Sequence, residues 1–204
     1  IRRELVPRIR ALGARSSARV TTTSTHPAPK LGATQPRAER RQAELVAIGC
    51  STGGPNALTD LFSDLPPALA VPIVIVQHMP PLFTNLLAER LSALGRIPVR
   101  EAKDGDELRV GVALIAPGGY HMRISKQGAR YVARLDQGPL VNSCRPAVDN
   151  LFESATELMG ADVLGVVLTG MGQDGLRGCE RIREKGGQVV VQDEATSVVW
   201  GMPG

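Results

Sequence analysis

The sequence lacks paired cysteines, clustered histidines and long apolar runs, and each absence argues against a class of protein. Its three cysteines, Cys50, Cys144 and Cys179, are widely spaced and form no C-x-x-C pair. This pattern argues against a disulfide framework and against a zinc site, so we expect no metal, no other cofactor and a reducing, cytoplasmic location. The apolar runs are shorter than a membrane span, so we expect no membrane insertion.

Negatively charged residues are scarce at the start of the chain. Residues 1–42 carry ten Lys and Arg against two Asp and Glu, a net charge of +8, whereas the remainder has 14 basic and 18 acidic residues, a net charge of −4. Because the remainder is mildly acidic, a nucleic-acid footprint would have to lie in the basic segment. We interpret the basic residues as serving solubility and spacing, and expect no nucleic-acid partner.

The composition divides the chain into three parts. Residues 13–42 are rich in Thr, Ser, Ala, Pro and Arg without apolar periodicity, which predicts a flexible basic linker. In residues 1–12, apolar side chains recur at helical spacing despite Pro7, as at the end of an upstream helix. The chain does not begin with Met, so we expect a fragment: the end of a missing upstream domain (1–12), the linker, and a folded domain (43–204) truncated at its C-terminal end.

From Glu44 onward, apolar strand patterns alternate with helical ones. This order predicts an α/β fold, a doubly wound and mostly parallel sheet with flanking helices and a small antiparallel hairpin. We expect strands at 44–50, 71–77, 97–101, 112–116, 163–169 and 188–192, helices at 55–64, 81–94, 146–160 and up to Lys185, and the hairpin at 120–125 and 130–135.

Gly49-Cys50-Ser51-Thr52-Gly53 follows the first strand and fits the G-x-S-x-G elbow, which exposes a serine nucleophile between a strand and a helix. Pro55 suits the first turn of that helix. The same pattern occurs in phosphate-binding turns, so a nucleotide-binding module or reductase that uses residues 49–54 is an alternative. Against it, no Lys-Ser/Thr pair follows Gly54, and His78 stands where a dinucleotide fold would place an acid.

Three side chains with catalytic chemistry follow predicted strands, at the edge where open sheets collect their active sites. They are Ser51, His78 and Asp174. Each has a structural explanation: Ser51 as a helix cap, His78 as a partly buried structural histidine, and Asp174 as a turn residue. Together they are the components of a Ser-His-Asp triad.

Other residues compete poorly for these roles. His26 falls in the linker and His121 in the hairpin. Cys50 should point away from Ser51 by strand alternation, into packing, so we consider a catalytic Cys50 a minor alternative.

Five blocks of the chain resemble the catalytic domain of the chemotaxis response-regulator methylesterases, the CheB family. They are AIGCSTGGP (47–55), QHMPP (77–81), IAPG (115–118), RPAVD (145–149) and LTGMGQDG (168–175). The resemblance implies hydrolysis of glutamyl methyl esters, and possible glutamine deamidation, on the cytoplasmic helices of chemoreceptors. It also implies an upstream receiver domain as an intramolecular regulator.

The resemblance also assigns roles to residues. Ser51 would be the nucleophile, His78 the general base and acid, and Asp174 the residue that orients His78. Thr52 and Met171 match positions near the family's oxyanion site. Arg145 would help to position the receptor helix, unless it is a salt-bridged surface arginine. A regulatory domain with an inactive triad is a third alternative.

Overall fold

A six-stranded sheet forms the centre of the fold. The computed structural model describes residues 42–67 and 69–204. The described strands are β1 Leu45–Cys50, β2 Ile73–Gln77, β3 Val99–Glu101, β4 Ala113–Ile115, β5 His121–Gln127, β6 Arg130–Asp136, β7 Val163–Val167 and β8 Gln188–Val191. The sheet has the order β3-β4-β2-β1-β7-β8, and all its pairs are parallel. β5 and β6 form the antiparallel hairpin.

Within residues 42–67 and 69–204, four α-helices connect the strands. They are α1 Gly54–Asp64, α2 Phe83–Ser92, α3 Val148–Met159 and α4 Leu176–Glu184, with 3-10 turns at Gly160–Asp162 and Glu194–Thr196. The predicted fold class is therefore confirmed, including the hairpin. Several bounds are tighter than predicted: α2 begins two residues late because Pro80 and Pro81 precede Leu82, whose φ of 73° is not helical.

The central strand β1 is buried on both faces, which explains its continuous apolar sequence. Val46 and Ile48 pack with the apolar sides of α1 and α2. Leu45 and Ala47 pack on the opposite face with α3 and the hairpin. The alternation along β1 therefore divides the core into two layers, one on each side of the sheet.

The parallel register brings three loops to one edge of the sheet. Cys50 pairs with Gln77, and Gly49 pairs with Val167. The residues that follow β1, β2 and β7 thus leave the sheet side by side, as the sequence analysis predicted.

Two predictions concern the N-terminal segments and membrane insertion. The predicted upstream segment (1–12) and nearly all of the predicted linker (13–42) lie outside the described residues, apart from the exposed Gln42. In the part of the chain that the structure describes, no helix combines the length and apolarity needed to cross a membrane.

Candidate active site

Ser51 lies at the sharp turn between β1 and α1. Its N–H donates to the Thr169 carbonyl at 3.0 Å, and its own carbonyl accepts from the Gly54 N–H at 2.8 Å and from Gln77 Nε2 at 3.0 Å. Gly53 precedes α1 with a φ of 82°, a conformation that glycine adopts at little cost. The backbone around Ser51 is therefore fixed on both sides while its side chain stays partly exposed.

A glycine-rich loop packs directly against Ser51. A β-carbon added to Gly170 would lie 2.8 Å from Cβ of Ser51 and would also collide with the sulfur of Met202, so this approach requires glycine. The Gly170 N–H donates to the Val199 carbonyl at 3.0 Å, and its carbonyl accepts from the Met202 N–H at 2.9 Å. Residues 199–202 thereby hold the loop beside the serine.

His78 and Asp174 form a direct hydrogen bond. His78 Nε2 lies 2.7 Å from Asp174 Oδ2, and the His78 N–H donates to the Cys50 carbonyl at 3.0 Å, next to Ser51 along the chain. Nδ1 is consequently the ring nitrogen left for another partner. It lies 3.6 Å from Cys144 Sγ. Within residues 42–67 and 69–204, the Ser51 hydroxyl forms no hydrogen bond to His78, a contact that in many enzymes closes when substrate binds.

Asp174 is buried, with 3% of its surface exposed, and is surrounded by donors. Besides His78, it accepts from the backbone N–H groups of Val148 (2.6 Å) and Asp149 (3.2 Å) at the start of α3 and from Asn142 Nδ2 (2.8 Å). Burial raises the pKa of Asp174, but these hydrogen bonds, with His78 first, outweigh burial and hold the pKa below its usual value. Asp174 is therefore a carboxylate under ordinary conditions.

A second buried carboxylate, Asp149, is linked to this one. Asn142 Nδ2 also donates to Asp149 Oδ2 at 2.8 Å, so a single amide bridges the two acids. Arg177 Nε donates to the same Oδ2 at 3.2 Å, and the Gly178 N–H donates to Asp149 Oδ1 at 2.9 Å. Asn142 was not predicted from the sequence; its positive φ of 51° is the kind of conformation in which asparagine is enriched.

The weaker site candidates lie around this centre. Thr52 and Met171 are exposed, Met171 to 74%, and in the described part of the chain neither backbone N–H is hydrogen-bonded. Arg145 Nη1 donates to the carbonyls of Gln137 and Gly138 at 2.9 and 2.8 Å. Among the described residues Arg145 has no carboxylate partner, so the surface ion pair considered for it is not found there.

Two alternative residues are accounted for by packing. Cys50 is fully buried in the core, and burial raises the pKa of its thiol, which makes it a poor nucleophile. His121 is 1% exposed; its Nε2 lies 2.9 Å from the Pro139 carbonyl, and its Nδ1 accepts from the Ala147 N–H at 3.3 Å. Both side chains are structural.

The spacing of the cysteines did not predict one cluster of possible metal ligands. Ligand atoms of His78, Cys144 and Asp174 lie within 4.8 Å of one another. The three residues are far apart in sequence, so no metal-binding motif connects them. Only the tertiary fold brings them together.

Comparison with known proteins decides the family. The model of the CheB methylesterase family matches residues 46–204. The chain belongs to the CheB methylesterase family. A CheB relative from Trichodesmium erythraeum, a protein-glutamate methylesterase/protein-glutamine glutaminase, is 52% identical over 208 residues, which cover 100% of this chain and 58% of that protein. A relative of the same name from Maricaulis maris is 52% identical over 86% of this chain and 44% of that protein. The chain spans about half the length of the curated CheB relatives that it matches.

A solved CheB structure gives the same result. The crystal structure of the Thermotoga maritima CheB methylesterase catalytic domain matches with a TM-score of 0.77 and 42% identity, covering 80% of this chain and 86% of that one. The resemblance drawn from the five sequence blocks is therefore confirmed. Membership in the CheB family favours an esterase over a nucleotide-binding module for the turn at residues 49–54.

Proposed function

We propose that this chain hydrolyses glutamyl methyl esters on methyl-accepting chemoreceptors, releasing methanol, with Ser51, His78 and Asp174 as its catalytic triad. The observation that carries the proposal is the 2.7 Å bond between His78 Nε2 and the buried Asp174 carboxylate, at the sheet edge where the Ser51 elbow also lies. The relatives' names, protein-glutamate methylesterase/protein-glutamine glutaminase, support both ester hydrolysis and deamidation of receptor glutamines.

The hydrogen bonding of the two ring nitrogens of His78 determines which of them can transfer protons during acyl transfer. Asp174 accepts from Nε2–H, so Nδ1 is the nitrogen that takes the Ser51 proton as the hydroxyl oxygen attacks the ester carbonyl. The same nitrogen then protonates the departing methanol, or ammonia when the substrate is a glutamine. Water activated by His78 next releases the glutamyl carboxylate from Ser51.

The oxyanion of the tetrahedral intermediate needs hydrogen-bond donors that are free before the reaction. The backbone N–H groups of Thr52 and Met171 meet this condition in the described residues. We assign them to the oxyanion site, where one donor contributes about 10²–10³ in rate. Arg145 would act indirectly: its guanidinium donates to the carbonyls of residues 137 and 138, and it directly follows Cys144, which contacts His78.

The partners follow from the substrate. We propose that the chain acts in the cytoplasm on the cytoplasmic helices of chemoreceptors, and that an upstream receiver domain regulates it. The relatives from T. erythraeum and M. maris are about twice as long as the matched region, which leaves room for such a domain in those proteins.

Methanol release from methyl-labelled chemoreceptor membranes tests the proposal. We expect release by the wild-type chain and by Ser63→Ala, a control serine in α1 whose hydroxyl donates to the Thr59 carbonyl one turn earlier in the same helix. Ser51→Ala should fold, by circular dichroism, and release none. A folded wild-type chain without activity would contradict the proposal; retention of a nucleotide in equilibrium dialysis would then favour the nucleotide-binding alternative, and its absence a regulatory domain with an inactive triad.

A further inference from the structure

Cys144 lies beside the nitrogen of His78 that the proposed reaction uses. The separation between Cys144 Sγ and His78 Nδ1 is 3.6 Å. The position of Cys144 is fixed by two backbone hydrogen bonds with Val141, of 3.1 and 2.8 Å. Cys144 is partly exposed and the His78 side chain is 13% exposed, so solvent reaches the pair.

This separation matches two ligands of one tetrahedral ion. Zinc binds sulfur at about 2.3 Å and imidazole nitrogen at about 2.1 Å, and a tetrahedral angle then places the two ligand atoms about 3.6 Å apart. We propose that Cys144 Sγ and His78 Nδ1 together bind a thiophilic divalent ion of the Zn²⁺ class, which blocks the nitrogen that accepts the Ser51 proton. The inhibitory half of this inference rests on the proposed function, whereas the metal site does not.

The surroundings of His78 are those of a metal-binding imidazole. A ligating histidine almost always donates its other N–H to a carboxylate or carbonyl, which fixes the ring and makes the free nitrogen more basic. Asp174 supplies that carboxylate at 2.7 Å from Nε2. The bond proposed to orient His78 for catalysis therefore also orients it for a metal.

Charge favours a cation at the same place. The Asp174 carboxylate places a negative charge beside the pair, since the ligand atoms of Asp174, His78 and Cys144 lie within 4.8 Å of one another. The Cys144 thiolate binds the dication directly, and the thiol proton passes to solvent as the Cys144–metal bond forms. Two protein ligands leave two tetrahedral positions for water, so we expect reversible occupancy and a dependence on metal concentration.

Cobalt(II) tests the site without reference to esterase activity. We expect Co²⁺ added to the full chain to give a thiolate-to-cobalt charge-transfer band that Zn²⁺ abolishes. Cys144→Ala should lose the band and bind Zn²⁺ about 100-fold or more weakly, since even changes outside the ligand set cost 10–100-fold. Cys179→Ala, which removes a partly buried cysteine outside the cluster, should keep the band. No band in the wild-type chain, or the same band in Cys144→Ala, would overturn the site.

A second experiment tests whether Zn²⁺ inhibits methanol release. Each variant is compared with its own metal-free rate of methanol release. Zn²⁺ should inhibit the wild-type chain and Cys179→Ala over the concentrations at which it displaces Co²⁺, and should inhibit Cys144→Ala only at about 100-fold higher concentrations. Full activity of a wild-type chain saturated with Zn²⁺ would refute inhibition. If the metal-free chain has no activity, the proposed function fails while the cobalt experiment still decides the metal site.

Discussion

At the scale of single residues, a substitution at Asp174 best distinguishes a loss of catalysis from a loss of folding. Asp174→Asn keeps the size of the side chain but removes the charge that holds His78 in the tautomer with Nε2–H. We predict that the variant folds and that kcat for methanol release falls about 10⁴-fold, as in a comparable triad. Initial rates and thermal unfolding measured on one preparation check this, and near-normal turnover would remove Asp174 from the triad.

Asn142 acts on the same carboxylate through a hydrogen bond that stabilises its charged form. Asn142→Gly removes the amide while tolerating the positive φ of 51°. The low pKa of Asp174 stabilises the fold above the unfolded-state pKa of about 3.9, and this contribution is lost as pH falls through the folded-state pKa. Losing a donor raises the folded-state pKa and reduces the contribution.

We therefore predict that Asn142→Gly lowers the free energy of unfolding by about 1–3 kcal/mol at pH 7. The difference from wild type should shrink as the pH is lowered toward the range in which Asp174 is protonated in both states. Urea unfolding across this pH range measures it. Ser143→Gly is the control, because it changes the adjacent left-handed residue (φ 62°) without removing the amide that Asp174 accepts from. A pH-independent difference for Asn142→Gly would show that the amide does not act through the carboxylate.

The site residues differ in how far sequence alone reveals them. Ser51, His78 and Asp174 follow strands, so the strand pattern predicts that they share an edge. Asn142 and Cys144 lie between the hairpin and α3, where no periodicity predicts the path of the chain. Their roles depend on distances of 2.8 and 3.6 Å across long sequence separations, which only tertiary packing sets.

At the scale of elements, a buried hydroxyl ties α2 to its neighbours. Thr84 is fully buried; its Oγ1 donates to Glu101 Oε1 in β3 and accepts from the Gly118 N–H, at 3.1 Å, in the loop after β4. Thr84→Val keeps the shape of the side chain but leaves both partners without this bond. We predict a loss of about 1–3 kcal/mol in the free energy of unfolding, measured in urea.

The matched control for this prediction is Thr84→Ser. It retains the hydroxyl and loses one buried methyl group, which costs about 1 kcal/mol. If Thr84→Val were as stable as wild type, the hydroxyl would not be what fixes α2 against the sheet.

Elements were easier to predict than their ends. β1 and β2 are apolar throughout, because both faces are buried, and their positions were predicted within two residues. The strand predicted to run to residue 169 instead ends at Val167: the Leu168 N–H still donates to the Gly49 carbonyl of β1, but the Thr169 N–H donates to the Gln192 side chain. An apolar pattern predicts burial, but the end of a strand depends on the hydrogen-bond partners of its backbone.

At the scale of the whole molecule, the described residues contain a two-layered core, and Ala43, which is 5% exposed, is its first residue along the described chain. The net charge of residues 1–42 is +8 and that of the remainder is −4. At physiological ionic strength, charges separated by more than about 8 Å are largely screened, so attraction between the two parts is weak unless they are in contact. We predict that deleting residues 1–42 leaves the melting temperature and the rate of methanol release from receptor membranes unchanged within about twofold.

The comparison uses the full chain and the deletion variant at low and at physiological salt, on receptor membranes and on a small soluble methyl ester. A faster rate on both substrates after deletion would show that residues 1–42 repress the site. A slower rate on membranes alone would show that the positive segment tethers the enzyme to its substrate, and low salt should then enlarge the difference, because weaker screening extends the reach of the +8 charge. Equal rates under all four conditions would assign substrate recognition to residues 43–204.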